Sequence, residues 1–401
     1  MKPAKRITAL CLVSSLILSI GLFGCSAKEE TPVPSASGTG NTADGTTGVA
    51  YLDDYGIRPL AEPSTLTIGY FSGALYSAII YGADQMGWFD AAGLDLDYVS
   101  FDSGPAMMEA NSSWDVGISG APGVLNGLIG YNVKCIGVVD YELAQGLYVR
   151  PDSPIALSGP GNIDDAPDIY GTADDWRGTT WIVPVGTSNY MVFLDTLDKL
   201  GLTLDDVTVI NMDVSSAKSA FVSGQGDGVG SWNTIALSLE DEGYVRAASA
   251  ETAGSIIASG MVATDAALAE RRDQVVKFYE VFLAAQDYFS EHVDEYATYM
   301  NETCLEEGVS STPEVAAEFV QTYKFLSGET IAKNCVTMID DVNGTAGRQV
   351  SQTEADLLVM LDFFIDQGSY TEENRTYILE NGCVDSSIAE LAIEDLGWNE
   401  A

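Results

Sequence analysis

Positively charged residues are scarce in this chain of 401 residues. It has 18 lysines and arginines against 59 aspartates and glutamates, which gives a formal net charge of −41 at pH 7. Such a surface repels the phosphates of nucleic acids and of anionic lipids, so neither is an expected partner. The acidic residues are scattered along the chain rather than gathered in one tail, which is typical of a solvated, exported protein.

Residues that commonly carry catalysis or bind metals are also rare. The single histidine is His292, so a Ser–His–Asp triad is not expected, and the chain has no C-x-x-C pair for a zinc site. It also lacks a G-x-x-x-x-G-K-[ST] phosphate loop. The acidic segment 162–175 lacks EF-hand spacing and is predicted to be a solvated loop rather than a calcium site. The sequence therefore predicts no catalytic residue, no cofactor and no metal.

One long apolar run lies at the N-terminus, at residues 7–23, and it is shorter than the ~20 residues of a comfortable membrane span. It follows Lys2, Lys5 and Arg6 and ends at Cys25. This pattern resembles the signal peptide of a bacterial lipoprotein, with an ordinary signal peptide as the alternative. The resemblance implies that residues 1–25 form the lipoprotein signal segment and that Cys25 becomes the lipidated first residue of the mature protein. It also implies an extracytoplasmic protein anchored to the outer face of the bacterial cell membrane.

Four further cysteines follow Cys25. Cys135 lies in an apolar run and is predicted to be a buried strand thiol. The other three could supply one disulfide, because an exported protein can keep one. We expect the bridge to join Cys304 and Cys335, with Cys383 left over.

The middle of the chain contains the same unit twice. Each copy has a strand, a polar turn, a helical stretch, a Gly-Leu pair, a second strand and an Asp-containing strand rich in small residues. The copies begin at Leu66 and at Thr180 and end near Gly120 and Trp232. Alternating strands and helices predict an α/β fold with largely parallel sheets flanked by helices. Two such lobes enclose a cleft, which is a preferred place for a small ligand.

Composition and periodicity give the expected domain boundaries. Residues 26–63 are rich in Ser, Thr, Gly and Pro and are predicted to be a flexible tether. Lobe I is expected at 64–148 and 262–401, and lobe II at 149–261. Helical stripes of apolar residues at 273–290, 313–326 and 353–366 predict a helical C-terminal wrap that packs on lobe I.

Ligands of open α/β sheets bind beyond the carboxyl ends of the strands. In this chain, those ends are followed by Gly, Ser, Thr and Asn residues that start helices, where free backbone N–H groups suit a sulfonate, nitrate or carboxylate. Ordinary helix capping is the alternative explanation. Aromatic residues near these loops, and two polar residues beside the lobe crossing, would suit a ring or a cation instead. The predicted ligand-binding residues are Ser72, Gly73, Tyr76, Gly120, Ala121, Glu142, Gln145, Gly186, Thr187, Ser188, Asn189, Trp232 and Asn233.

Several short motifs, in order, are similar to those of the solute-binding lipoproteins of ABC importers for nitrate, sulfonates, taurine and thiamine-precursor pyrimidines. They include Gly87-Trp88-Phe89, Trp114-Asp115-Val116-Gly117, Arg150-Pro151-Asp152-Ser153-Pro154 and Ala220-Phe221-Val222-Ser223-Gly224. The resemblance implies a type II periplasmic-binding-protein clamshell that closes on a ligand and delivers it to an ABC permease. It also implies a monomer that contacts the membrane only through its lipid.

The nature of the ligand stays open at this level. A small sulfonate, taurine or nitrate is expected, and a thiamine-precursor pyrimidine or another aromatic or cationic molecule is the alternative. Arginine is scarce near the predicted cleft, which weakens the case for a bare anion. Two other classes are a pyrimidine-synthase-like enzyme, which would need a cysteine-rich motif that the chain lacks, and a surface interaction protein with a vestigial cleft.

Overall fold

The computed structural model describes residues 45–71, 73–101, 103–142, 145–306, 308, 311–341 and 344–399. The predicted signal with Cys25, the tether up to residue 44, and Ser72 therefore lie outside the described residues. No helix in the described ranges is long and apolar enough to cross a membrane.

The strands, in chain order, are β1 (Ser64–Phe71), β2 (Leu94–Phe101), β3 (Val116–Gly120), β4 (Val133–Tyr141), β5 (Gly146–Val149), β6 (Thr180–Val183), β7 (Thr208–Asn211), β8 (Gly228–Ser231), β9 (Val245–Ser249), β10 (Ala258–Thr264), β11 (Met338–Ile339) and β12 (Val350–Ser351). The first eleven helices are α1 (Ala50–Tyr55), α2 (Leu75–Gln85), α3 (Trp88–Ala91), α4 (Gly104–Glu109), α5 (Ala121–Gly130), α6 (Pro154–Ser158), α7 (Ala173–Trp176), α8 (Ser188–Lys199), α9 (Val214–Val222), α10 (Asn233–Asp241) and α11 (Ala250–Ala253).

The later helices are α12 (Asp265–Glu270), α13 (Arg272–Glu291), α14 (Val293–Glu306), α15 (Pro313–Val320), α16 (Gly328–Val336), α17 (Gln352–Asp366), α18 (Glu372–Asn381) and α19 (Ser387–Asp395). Two short 3₁₀ turns lie at Asn111–Ser113 and Leu204–Asp206.

The two lobes have the same strand order. The lobe I sheet runs β2-β1-β3-β10-β4 and the lobe II sheet runs β7-β6-β8-β5-β9. In each sheet, the second strand, β1 or β6, is parallel to both neighbours, and the fourth strand, β10 or β5, is antiparallel to both of its neighbours. The duplicated α/β unit and the mostly parallel sheets are thus confirmed. The antiparallel strand in each lobe is the one that enters from the other lobe.

Equivalent aspartates hold equivalent strands in the two copies. Asp115 Oδ2 accepts a hydrogen bond from Thr67 N in β1 at 2.9 Å, and Asp227 Oδ2 accepts one from Thr180 N in β6 at 2.8 Å. Glycine is required directly after Asp227, because a Cβ on Gly228 would lie 2.3 Å from the Trp181 ring. The repeated Asp-containing motif therefore fixes strand packing in both lobes.

The lobes exchange strands earlier than the expected boundaries. β5 pairs with β8 and β9, so lobe II begins at Gly146, and β10 joins the lobe I sheet from Ala258. Between them, Glu142 N donates to Ile257 O at 2.9 Å and Ala250 N donates to Gln145 O at 2.9 Å. Two polypeptide segments therefore run side by side as the hinge.

The end of the predicted tether belongs to lobe I. Leu52 of α1 and Ile57 are fully buried in the lobe I core. Tyr51 stacks on Trp88 with ring centroids 5.2 Å apart. Burial of these apolar side chains stabilises the stretch against lobe I. The expected tether boundary at residue 63 is therefore too late.

The C-terminal helices pack mainly on lobe I, as the helical stripes predict. Helix α13 is buried along most of its length, and its Phe278 stacks on Phe89 at 5.4 Å. One predicted helix is too long, because α15 ends at Val320 instead of Leu326. Tyr323 turns inward there and donates from Oη to Gln286 Oε1 at 3.2 Å. Helix α15 also contacts α10 of lobe II, which the sequence did not predict.

The expected Cys304–Cys335 disulfide is wrong, because all four described cysteines are free thiols. Cys335 Sγ faces Ile136 O at 3.3 Å and Thr353 Oγ1 at 3.4 Å. Cys304 lies on α14, away from those partners. Cys135 is fully buried, as predicted.

Candidate functional site

The loops at the carboxyl ends of the strands meet between the lobes. A Cβ on Gly120, where β3 of lobe I ends, would lie 4.0 Å from Ser188 Oγ at the start of α8 in lobe II. The Gln145 amide at the hinge donates to Ser188 Oγ at 2.8 Å and also to Glu142 Oε2. Four of the predicted site residues are therefore brought together, with the hinge as their link.

Other predicted residues have structural roles. Thr187 caps α8 and donates to Pro184 O at 2.7 Å. Asn189 is fully buried within lobe II, where Nδ2 donates to Gly146 O at 3.1 Å and to Ser231 O at 3.2 Å. Gly186 is exposed and supplies a positive φ of 81° to the turn.

The helices α2, α5 and α10 all start at the cleft, and none of them has a cap hydrogen bond from a described side chain. Gly73 precedes α2 with a φ of 69°, Ala121 begins α5, and Trp232 precedes α10. Asn233, the first residue of α10, has a φ of 52°, which is uncommon for a residue other than glycine. Such backbone strain is often found at functional sites.

Three adjoining cavities lie between the lobes of the described structure. The inner cavity has a volume of about 20 Å³ and the middle cavity about 40 Å³, and both are lined by Asn233, Phe319 and Thr322. The outer cavity, about 890 Å³, shares Glu240, Arg246 and Thr322 with the middle one. Lobe I contributes the segment 319–324 and lobe II contributes α10 and β9, so residues of both lobes enclose the space.

Two carboxyl groups line the inner cavity at the end of β4. Asp140 is 1% exposed, and its Oδ1 has no hydrogen-bond partner among the described residues. Glu142 accepts from Ser259 Oγ at 3.2 Å and from the Gln145 amide. Burial, with the neighbouring charge of Glu142, raises the pKa of Asp140 well above its usual range, and burial also raises the pKa of Glu142.

Tyrosines surround these carboxyls on the lobe I side. Burial and the charge of Asp140 raise the pKa of Tyr296 and Tyr323, and the pKa of Tyr76 rises through burial and the charges of Glu142 and Asp140. Tyr296 Oη donates to Leu75 O at 2.9 Å, which fixes the start of α2. The rings of Tyr296 and Tyr323 lie 6.0 Å apart in an edge-to-face arrangement. The predicted Tyr76 therefore does lie beside the inner site.

The outer cavity carries charges of both signs. Arg246 Nε lies 3.3 Å from Glu240 Oε1, which also accepts from Tyr148 Oη at 2.9 Å. Lys324 faces this cavity from lobe I. Neither basic residue was identified from the sequence as part of the site.

The sequence reasoning also missed Asp140, Phe319, Thr322 and Tyr323. A signal for Asp140 was available, since it is the one acidic residue of strand β4 and follows its apolar run 135–139. The other three lie in the stretch 313–326, which was predicted to be a helix that packs on lobe I rather than part of the cleft. Trp232, which was predicted to bind ligand, is half-buried and is not among the residues that line the three cavities.

Two matched α/β lobes joined by a two-segment hinge define the class of this molecule, the periplasmic-binding-protein fold. A profile of the family described as NMT1/THI5 like matches residues 74–296, which are 223 of the 401 residues. The chain therefore belongs to the NMT1/THI5-like family.

Individual similarities agree with this assignment. A Brachyspira hyodysenteriae protein that bears the name ABC transporter periplasmic binding protein is 27% identical over 292 residues, which are 72% of this chain and 79% of that protein. The Escherichia coli periplasmic aliphatic sulphonate binding protein has the same fold, with a TM-score of 0.56 and 19% identity over 75% of this chain and 94% of that one. A desulfurization enzyme shares the fold too, with a TM-score of 0.54 and 15% identity over 82% of this chain and 99% of the enzyme.

Metal ligation finds no support in the described ranges. They contain no group of three or more His, Cys, Asp or Glu side chains placed to hold an ion. The acidic segment 162–175 instead forms turns and the short helix α7, which Thr172 and Asp175 cap reciprocally.

Proposed function

We propose that this chain is the extracytoplasmic solute-binding component of an ABC importer. The observation that carries the proposal is the cleft, whose cavities are lined by residues from two lobes of identical strand order. Family membership and the similarity to the Brachyspira protein support it. In this role, the chain closes on a small molecule and delivers it to a transmembrane permease. We also propose that Cys25 carries the lipid anchor, which labelling with a radioactive fatty acid would test.

We further propose that the ligand is a small molecule with an anionic head, of which the aminosulfonate taurine is the leading candidate. The fold similarity to a sulphonate-binding protein and the three helix N-termini without side-chain caps at the cleft support an anionic group. Arg246 and Lys324 in the outer cavity supply positive charge for it. A bare nitrate would leave most of the cleft without contacts.

Thermal unfolding of the purified protein with a panel of compounds tests the proposal. The panel contains taurine, isethionate, nitrate, amino acids, pyrimidines and simple amines. A ligand at a hundredfold excess over its Kd adds about 2.7 kcal/mol to the free energy of unfolding and raises the Tm. Recovery of the bound compound unchanged distinguishes a binding protein from an enzyme of the same fold. A panel in which no compound raises the Tm would contradict the proposal.

A further inference from the structure

We propose that the inner cavity binds a protonated amine of the ligand through Asp140 and Glu142. This inference rests on the proposed solute-binding function and names the chemistry of its deepest contact. A ligand that enters the cleft would place its ammonium group against β4 and extend its remainder through the middle cavity.

The first argument is size. The inner cavity has a volume of about 20 Å³, which is enough for about one water molecule. An ammonium group is close to a water molecule in size. A sulfonate, with three oxygens around a sulfur, is several times larger, so it would fit only in the wider outer part.

The second argument is charge. Asp140 is almost fully buried, lines the inner cavity and leaves Oδ1 without a partner in the described structure. A buried polar atom in this state costs free energy, which a ligand that donates a hydrogen bond would offset. Among the described residues that line the inner cavity, none is lysine or arginine. An anion there would meet two carboxyl groups and no counter-charge, whereas a cation would be attracted to both.

The third argument is the aromatic surround. Tyr323 and Phe319 line the cavity, and Tyr76 and Tyr296 lie next to it. Aromatic faces attract cations, and the attraction is strongest when the cation is desolvated. Carboxyl groups and rings together form an environment that favours an organic cation over an inorganic one, because the rings also contact the carbon next to the nitrogen.

Binding of the cation should displace a proton. The groups that face Asp140 are Glu142 just after β4, Tyr76 on α2, and Tyr296 and Tyr323 from the C-terminal region, and none of them is positively charged. The raised pKa of the carboxyl pair means that the empty site retains a proton to a higher pH than an ordinary carboxyl. An ammonium group binds best to the ionised carboxylates. The affinity for the amine should therefore rise as the pH increases and the carboxyl pair loses its proton.

The test is titration calorimetry with three probes: taurine, its oxygen analogue isethionate, and propylamine. We expect taurine to bind at least tenfold more tightly than isethionate, with proton release visible as a dependence of the heat on the buffer. The Asp140→Asn variant should lose tenfold or more in taurine affinity and leave isethionate affinity unchanged. Asp195→Asn is the matched control, since that carboxyl accepts from Ser255 in lobe II, away from the cavities.

Each outcome of these titrations either supports or overturns the amine site. Isethionate binding as tight as taurine, or equal taurine affinity in Asp140→Asn and wild type, would overturn the amine site and leave the solute-binding function standing. Binding of propylamine alone would support the amine site and reject the anionic head. If Asp140→Asn fails to fold, the wild-type comparison of proton release between taurine and isethionate decides instead. Binding of none of the three probes overturns both the amine site and the taurine assignment.

Discussion

Asn189 is a buried side chain that holds lobe II together at the cleft. Its amide donates to Gly146 O of β5 and to Ser231 O of β8, so it joins the strand that enters the lobe to the strand beside it. A Cβ on Gly230 would lie 1.9 Å from Asn189 Oδ1, so glycine is required there to admit the amide. We therefore expect Asn189 to contribute to the site by positioning backbone rather than by contacting ligand.

Replacement of Asn189 by leucine should separate a role in the stability of lobe II from a role in ligand binding. Two buried carbonyls would lose their donor, and each unsatisfied group costs about 1–3 kcal/mol, so the free energy of unfolding should fall by about 3 kcal/mol. Ligand affinity of the folded protein should change less than threefold. Urea denaturation and titration calorimetry measure the two quantities.

The control is Asn211→Ala, which removes an exposed amide whose Oδ1 accepts from Val185 N at 3.0 Å. It should cost under about 1 kcal/mol. A large loss of ligand affinity in Asn189→Leu, with stability unchanged, would return Asn189 to the list of ligand contacts.

Asn189 and Asp140 illustrate what the sequence could predict at this scale. The pattern of residues placed Asn189 correctly at the start of a helix near the cleft. It could not say which way the side chain turns, because that depends on Gly146 and Ser231, which are distant in sequence. Asp140 stood out as the one acidic residue of β4, but the cavity beside it is formed by residues distant in sequence, so its role could not be predicted.

Helix α13 shows how one buried carboxyl makes an element sensitive to pH. Glu280 is fully buried in α13, paired with Lys277 and close to Asp395 of α19. Burial raises the pKa of Glu280 to about 7, although the Lys277 charge opposes the shift. The folded protein therefore holds a proton that the unfolded chain releases above about pH 4.3.

The sign of the effect follows from proton linkage. Between about pH 4.3 and 7, the folded state binds more protons than the unfolded state at this position, so the contribution of Glu280 to stability falls as the pH rises. The Glu280→Gln variant does not titrate there. The free energy of unfolding of wild type minus that of the variant should decrease by about 3 kcal/mol between pH 4.5 and pH 8. Urea denaturation at several pH values measures this difference.

Glu291→Gln is the control, because Glu291 is exposed at the end of the same helix. Its difference from wild type should change by less than about 0.5 kcal/mol over the same range. An equal pH trend in both variants would show that Glu280 is not the group responsible.

Helices and strands were predicted well where a local pattern of apolar residues defines them, and poorly where their course depends on distant parts of the chain. Strands such as β4 and helices such as α13 follow from runs and stripes of apolar residues, which report burial directly. The antiparallel direction of β5 and β10 follows from the path of the chain between the lobes, which no local pattern records. Helix α15 ends early because Tyr323 packs inward on Gln286, a tertiary contact that overrides helix periodicity.

At the scale of the whole molecule, the lobes are closed upon each other. Met191 of lobe II is buried in a lobe I cluster with Met107, Ala121 and Leu125. Leu237 of α10 is buried in the main lobe I core and lines the middle cavity beside Phe319 of α15. Two apolar side chains from lobe II thus contact lobe I on separate helices. These contacts favour the closed arrangement even without ligand. Opening of the hinge to admit a ligand must break them.

Replacement of Leu237 by alanine should shift the molecule toward an open arrangement. The lost apolar contact is worth about 2 kcal/mol at a partly enclosed interface, which corresponds to roughly a thirtyfold change in the equilibrium between closed and open forms. The radius of gyration from solution X-ray scattering should therefore rise in the variant without ligand. Ligand should restore the wild-type value, because it contacts both lobes and binds the closed form better. Its apparent affinity should fall in proportion to the loss of the closed population.

Leu239→Ala is the matched control for this experiment. Leu239 lies on the same helix but is buried within lobe II, with Phe221 and Val229. Its replacement should lower the free energy of unfolding by about 2–5 kcal/mol and leave the radius of gyration of the folded protein unchanged. If Leu237→Ala also leaves the radius unchanged, its contact with lobe I does not hold the cleft shut, and closure must depend on the hinge and the ligand alone. If both variants expand, loss of lobe II packing rather than opening explains the scattering.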